Sequence, residues 1–276
     1  MIRVGLTRFD EHEFLTGKKK STLFEYASHL PVVELDTSYY FVPKKSVVEN
    51  WLTQIPENFQ FIMKLPSSLT CQDELPEGKT MQDMAEEFLT NLAPMIDSDR
   101  LFCALAQFPA TFKCTKESVA HLRMLRQLFP NLSLAVEFRD YSWYEPRYLE
   151  KTRQFMSSQQ FSLAVIDEPK KLSTTVPLDA FVTNSAFTLC RFHGRNDVGW
   201  QAKGPDAQSK RTLYHYSQTE LAELQATIEK VAEDSQNVVV IFNNNAGGDA
   251  AENAMELNER MNLTYQGLNP GQLDLF

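Results

Sequence analysis

The residues able to do chemistry in this chain sit at the ends of apolar runs. The runs closing VVELD, FIMK, LAVEFR, LAVID, LCRFHG and VVVIFNNN each pass abruptly from core-type residues to acids, bases or amides. A strand presents one face at i and i+2. Glu34 with Asp36, Glu137 with Arg139, Arg191 with His193, and Asn243 with Asn245 therefore share faces, while Lys64, Gln107 and Asp167 are single polar residues at three further run ends. Gathered at one opening, Arg139 and Arg191 would fork onto a carboxylate or phosphate. Glu34 and Glu137 would form an acid–base pair whose separation decides the reaction. The mixed signs suit a small polar ligand, phosphate- or sugar-like, and hydrolysis of a phosphoester or glycosidic bond is the preferred chemistry. Glu34, Lys64, Glu137, Arg139, Arg191 and His193 are the catalytic candidates. Asp36, Gln107, Asp167 and Asn243 are the first ligand-binding candidates. The opposing reading is a plug of salt bridges, because buried charges are almost always paired.

His193 is the single histidine at a run end, so a multi-zinc centre is not expected. The carboxylates leave a magnesium site open. No metal ligand set and no cofactor is assigned. Aromatic residues crowd the same connections: Tyr39 and Tyr40 after VVELD, Trp143 and Tyr144 after LAVEFR, and Trp200, Tyr214 and Tyr216 after LCRFHG. They would either stack against a sugar or base or simply pack. Tyr40, Trp143 and Tyr216 join the ligand-binding candidates. The connection over residues 194–217 is longer than such loops usually are and fits a lid.

The elements that must position these residues alternate along the chain. Strands are expected at residues 2–6, 32–36, 59–64, 101–107, 132–139, 161–167, 187–193 and 238–243, with helix-like periods between most of them. Capping boxes are expected at Thr22 with Glu25, Ser46 with Glu49, and Ser217 with Glu220. The stretch 168–186 has two prolines and no helical period, so the helix after strand six is degenerate. Strands alternating with helices imply right-handed crossovers and a parallel sheet. Eight units in one α/β chain predict a (β/α)8 TIM-type barrel as a single domain over residues 1–264, followed by a tail over 265–276. An open doubly wound sheet is the rival, but no glycine-rich turn follows the first strand.

A net charge of −9 argues against direct nucleic-acid binding by the surface as a whole. The four cysteines are scattered with no CxxC, which predicts buried free thiols. No apolar stretch has signal-peptide or membrane-span length, so a cytoplasmic location without membrane association is expected.

Taken together, VELDTSYY, the Lys64 strand, QFPATF, EFRDYSW, RFHGR, YHYS and FNNNAGGDAAENA occur in the order seen in the family called domain of unknown function 72, the YecE-like proteins, which the chain resembles over essentially its whole length. The resemblance implies a (β/α)8 barrel and no assigned reaction. It carries over Glu34, Tyr40, Lys64, Gln107, Glu137, Arg139, Trp143, Arg191, His193 and Asn243, and adds Gly194, Asn244 and Asn253. Asp36 stands where the family usually has asparagine, and LTRF replaces an amino-terminal glycine and tryptophan signature.

The last five residues, QLDLF, resemble the pentapeptide by which DNA-repair and replication proteins dock on the bacterial sliding clamp. In that reading Gln272 offers an amide, Leu273, Leu275 and Phe276 fill an apolar cleft, and Asp274 faces water. The preceding GLNPG would be a flexible or turn-forming tether. A non-catalytic clamp-associated module is thus the alternative function, and a tail strapping its own barrel is the plainer reading.

Overall fold

A computed structural model describes residues 1–170, 175–204 and 206–271. The expected docking pentapeptide, Gln272 to Phe276, lies outside the described residues. The strands are β1 (Ile2–Thr7), β2 (Val32–Leu35), β3 (Gln60–Lys64), β4 (Leu101–Gln107), β5 (Leu134–Glu137), β6 (Phe161–Leu163), β7 (Val165–Asp167), β8 (Thr188–Phe192) and β9 (Val238–Phe242). Their order is β6-β5-β4-β3-β2-β1-β9-β8-β7, and every neighbouring pair is parallel. The expected sixth strand is split at Ala164: its first half pairs with β5 and its second with β8. The two ends of the sheet are therefore consecutive in sequence. The result is a TIM-type α/β barrel of a single domain.

The strands are near-continuous apolar runs because both faces are covered. Val32, Ile62, Cys103, Leu105, Ala135, Leu189, Val239 and Ile241 cluster on the inner face. The alternate residues, among them Val33, Phe61, Val136, Phe192 and Phe242, pack outward with the helices. Helices Met81–Asp97, Lys116–Leu128, Pro146–Ser158, Gln218–Asp234 and Asp249–Arg260 surround the sheet.

The capping boxes at Thr22 with Glu25 and Ser217 with Glu220 form. The one expected at Ser46 with Glu49 does not. Lys44, extended directly after Pro43, is the N-cap, which draws Ser46 inside helix Lys45–Leu52 and leaves Val47 exposed. A further box forms at Thr80 with Asp83. Among the described residues no helix replaces the degenerate unit over 168–186. A groove of about 600 Å³ opens there between Pro146–Ser158 and Gln218–Asp234, lined by Arg153, Asp179, Phe181 and Lys230.

Tyr26 closes a gap between β1 and β2, whose ladder begins only at Leu6 and Val33. Its buried hydroxyl accepts from Leu6 N (2.9 Å) and donates to the Val32 carbonyl (2.8 Å). The expected tether is pinned: Asn269 donates from its backbone N to Ala27 O and from Nδ2 to Phe24 O and Gln54 O. Cys103 and Cys190 are buried and free, as expected, Cys114 is partly covered, and Cys71 is exposed, unlike the expectation. It follows a 3-10 turn, in left-handed backbone at the surface rather than in a strand. Among the described residues, no helix is long and apolar enough to cross a membrane.

Candidate active site at the barrel mouth

Extending the inner face of each strand by two residues past the apolar layer gives Glu34, Lys64, Gln107, Glu137, Arg191 and Asn243, and by four gives Arg139 and His193. The carboxyl ends of β2, β3, β4, β5, β8 and β9 thus bring polar residues to one opening, where barrel enzymes place their chemistry.

Arg191 is fully buried at the centre. It donates from Nε to Glu34 Oε2 (2.7 Å) and from Nη2 to Glu34 Oε1 (2.6 Å), and its Nη1 donates to Glu137. Glu137 also accepts from Gln107 Nε2 (2.9 Å) and pairs with Arg139 Nε (2.6 Å). Arg139 continues the chain, donating from Nη1 to Glu168 Oε2 (3.0 Å). Burial pushes the Glu137 carboxyl up, but Arg139 and Arg191 together outweigh it and hold the group well below the usual range. For Arg191, burial is outweighed by Glu137 and Glu34, so the guanidinium stays charged.

His193 is neutral: burial, then the Arg139 guanidinium, push it down to about 3. Asn243 Nδ2 donates to His193 Nδ1 (2.8 Å), while Asn243 Oδ1 accepts from Thr7 Oγ1 (3.1 Å). His193 Nε2 in turn lies 3.2 Å from Arg139 Nη2, 3.4 Å from Arg191 Nη1 and 3.3 Å from Glu137 Oε1.

The geometry reassigns several roles. Arg191 is spent on two carboxylates and has no fork left for a ligand, and Glu34 is spent on Arg191. Arg139 is engaged through Nε, Nη1 and Nη2, the last 3.2 Å from His193 Nε2, yet 19% of its side chain is exposed, with Trp200 of the long connection 5.5 Å away over its guanidinium. Lys64 is half-buried, its amine has no hydrogen bond or ion pair among the described residues, and its Nζ lies 5.7 Å from the Tyr39 ring. Burial lowers its pKa despite Glu34, Asp36 and Glu137 nearby. The Asp36 carboxylate, partly exposed beside Lys64, also lacks a direct partner among the described residues.

Glu168 is absent from the candidates that the sequence supplies. It shares the inner face with Ile166, which pairs with Arg191. Burial, offset in part by Arg139, pushes its carboxyl up to about 7, with Glu137 and Asp167 adding to the rise.

Other candidates lie elsewhere. Asp167 pairs with Phe192 on the outer face, where it holds Arg195 (2.9 Å) and the Tyr216 hydroxyl (2.8 Å). Tyr216 is fully buried, and its hydroxyl also accepts from Gly194 N (2.8 Å). Gly194 has φ +86°, and a Cβ there would sit 2.5 Å from Tyr214 Cβ. Asn244 and Asn253 clamp the same segment: Asn244 Nδ2 donates to Tyr214 O (2.8 Å), and Asn253 exchanges hydrogen bonds with the Tyr216 backbone. Trp143 packs: its ring lies flat on Phe138 at 4.0 Å, and Nε1 donates to Phe112 O. Tyr40 is exposed beside Tyr39. Among the described residues no group of three or more His, Cys, Asp or Glu is placed to hold a metal ion.

The same barrel occurs in known proteins. The family model "Protein of unknown function DUF72" matches residues 3–274. The chain is 38% identical to UPF0759 protein YunF of Bacillus subtilis over 100% of both chains. It is 28% identical to UPF0759 protein YecE of Escherichia coli over 72% of this chain and 76% of that one. A solved DUF72 family protein from Enterococcus faecalis superposes with TM-score 0.95 at 49% identity, covering 99% of this chain and 100% of the other. One from Thermotoga maritima gives TM-score 0.80 at 31% identity, covering 95% and 100%. The order of motifs, the closed parallel barrel and these matches agree, and the chain belongs to the DUF72 family, whose function is unknown.

Proposed function

We propose that the barrel mouth binds a small polar ligand carrying an anionic group and hydrolyses it. Arg139 holds the anion and Glu168 moves the proton. The observation that carries this reading is the split between spent and open groups. Arg191, Glu34 and Glu137 satisfy one another deep in the barrel, whereas Arg139 keeps 19% of its side chain exposed and the Lys64 amine has no hydrogen bond or ion pair among the described residues. A buried ion network alone is a costly way to fill a barrel end, and open cations beside it suit phosphate or carboxylate. Glu168, near 7, is matched to proton transfer at neutral pH. Trp200 over Arg139 supplies a wall that excludes water. The test is a thermal-shift titration with inorganic phosphate and a hexose phosphate, followed by turnover of p-nitrophenyl phosphate and p-nitrophenyl glycosides by wild type and Glu168→Gln. A ligand at a hundredfold excess over its Kd adds about 2.7 kcal/mol of stability. No stabilisation and no turnover across the panel ends this reading.

The second reading, docking of Gln272 to Phe276 on a sliding clamp, rests on the QLDLF sequence alone. Asn269 bonds to the turns before β2 and β3, at the end of the barrel opposite the mouth, so the two readings need different surfaces. Binding of the full chain and of residues 1–271 to purified clamp tests it. Equal binding by both removes the motif's role.

A further inference from the structure

We propose that Lys64 is an imine-forming residue, and that the ligand of the mouth is an aldehyde or ketone that also carries an anionic group. The inference rests on the reading of the mouth as a small-ligand site and goes beyond it by naming the electrophile. Lys64 ends β3 on the inner face, two residues above Ile62, so its amine enters the same opening as Arg139. Its backbone is fixed: the Ser38 hydroxyl donates to the Lys64 carbonyl (2.5 Å), and the next amide, Leu65 N, donates to Leu105 O (2.9 Å). Glu34, Asp36 and Glu137 all act on its charge, yet none comes within ion-pair distance. Glu34 and Glu137 are held by Arg191 instead. What the amine does face is the Tyr39 ring, 5.7 Å away.

An amine that is half-buried, rigidly based and unspent is the arrangement a nucleophile needs. A structural lysine at this depth would be expected to have captured one of the adjacent carboxylates. Burial moves the amine towards its neutral form, which is the form that attacks a carbonyl. The neutral Nζ adds to the carbonyl carbon to give a carbinolamine. The two amine protons then leave with the former carbonyl oxygen as water, and a carbon–nitrogen double bond remains. No oxidant or reductant enters. Arg139, partly exposed at the same barrel mouth, holds the anionic group.

The experiment uses pyridoxal 5′-phosphate, which joins an aldehyde to a phosphate, with sodium cyanoborohydride to reduce any imine to a stable secondary amine. Labelled sites are read by peptide mass spectrometry on the full chain. The expected result is labelling of Lys64 faster than that of exposed Lys19, Lys44 and Lys45, since burial moves its amine towards the neutral, attacking form. Lys64→Arg should remove this fast phase while leaving the slow surface labelling unchanged. Labelling of Lys64 no faster than the surface lysines overturns the proposal. If phosphate stabilises the fold but Lys64 is not labelled, the imine is ruled out and the anion site stands. If Lys64 is labelled without protection by phosphate, the imine stands and the anion site falls.

Discussion

Replacing Arg191 by methionine removes the hub of the buried network while keeping an unbranched side chain of similar reach. Glu34 then loses every hydrogen bond made by its carboxylate, because Arg191 Nε and Nη2 are its only partners among the described residues. Glu137 keeps Arg139 and Gln107. One carboxylate, 1% exposed, is thus stranded. Breaking a buried pair from one side costs about 3–5 kcal/mol, and for a chain of this size each kcal/mol moves Tm by about 2–4 °C, so a fall of roughly 10 °C is expected. Charge is the cause, so two rescues follow. Glu34→Gln in the Arg191→Met background should recover most of the loss. The deficit of Arg191→Met should also shrink as pH falls, because a stranded carboxylate has its folded pKa raised above the unfolded value. Its neutral form is then compatible with the fold, and the penalty grows as pH rises. Urea unfolding of wild type, single and double variants at two pH values measures all three effects. A single variant within about 1 kcal/mol of wild type, or a deficit that neither Glu34→Gln nor acid relieves, refutes the account of Arg191 as a counter-ion held by desolvated carboxylates.

Tyr26→Phe should cost about 2–4 kcal/mol in urea unfolding, since it leaves Leu6 N–H and Val32 C=O without the hydroxyl that joins them. Gly194→Ala should cost about 2–3 kcal/mol and disturb the Tyr214–Tyr216 segment, visible as faster amide exchange there, because of the left-handed backbone and the 2.5 Å approach to Tyr214. Glu168 makes a pH-dependent contribution. Its folded pKa, near 7, is raised above the unfolded value, so the stability it gives is complete below about 4.5 and is lost as pH rises through 7. Relative to Glu168→Gln, wild type should lose up to about 1.4 kcal/mol per pH unit across that window, and a flat difference between the two would contradict the raised pKa.

How much was legible depends on what each signal can carry. The eight runs were readable because a parallel strand covered on both faces is apolar throughout, and their polar ends stand out for the same reason. That continuity hides which face is inner. In FSLAVIDE nothing local distinguishes Asp167 from Glu168, and only the register of Ile166 beside Arg191 shows that Glu168 enters the mouth while Asp167 turns outward to Arg195 and Tyr216. Asn244 and Trp143 are of the same kind: a polar or aromatic residue near a strand end, turned outward into the helix layer. The split at Ala164 had no signal in composition. Pairing was still further out of reach. Arg191 is 157 residues from Glu34 and 54 from Glu137, and the sequence offered it equally as a ligand fork.

The distinction between spent and open charge is the step that a residue list cannot make, and it changes which residues matter. Read by type, Arg191 and Glu34 lead the site; read by partner, they are its foundation, and chemistry passes to the groups around them. Arg191 draws Glu34 and Glu137 inward, which leaves Lys64 without the counter-ion its depth calls for. Glu137 in turn aligns Arg139 and His193, and Arg139 reaches on to Glu168. The network therefore sets the state of three groups at once: a neutral imidazole, a carboxyl near neutrality and an unspent amine. A salt-bridge plug built only for stability would have no reason to leave one of its cations out.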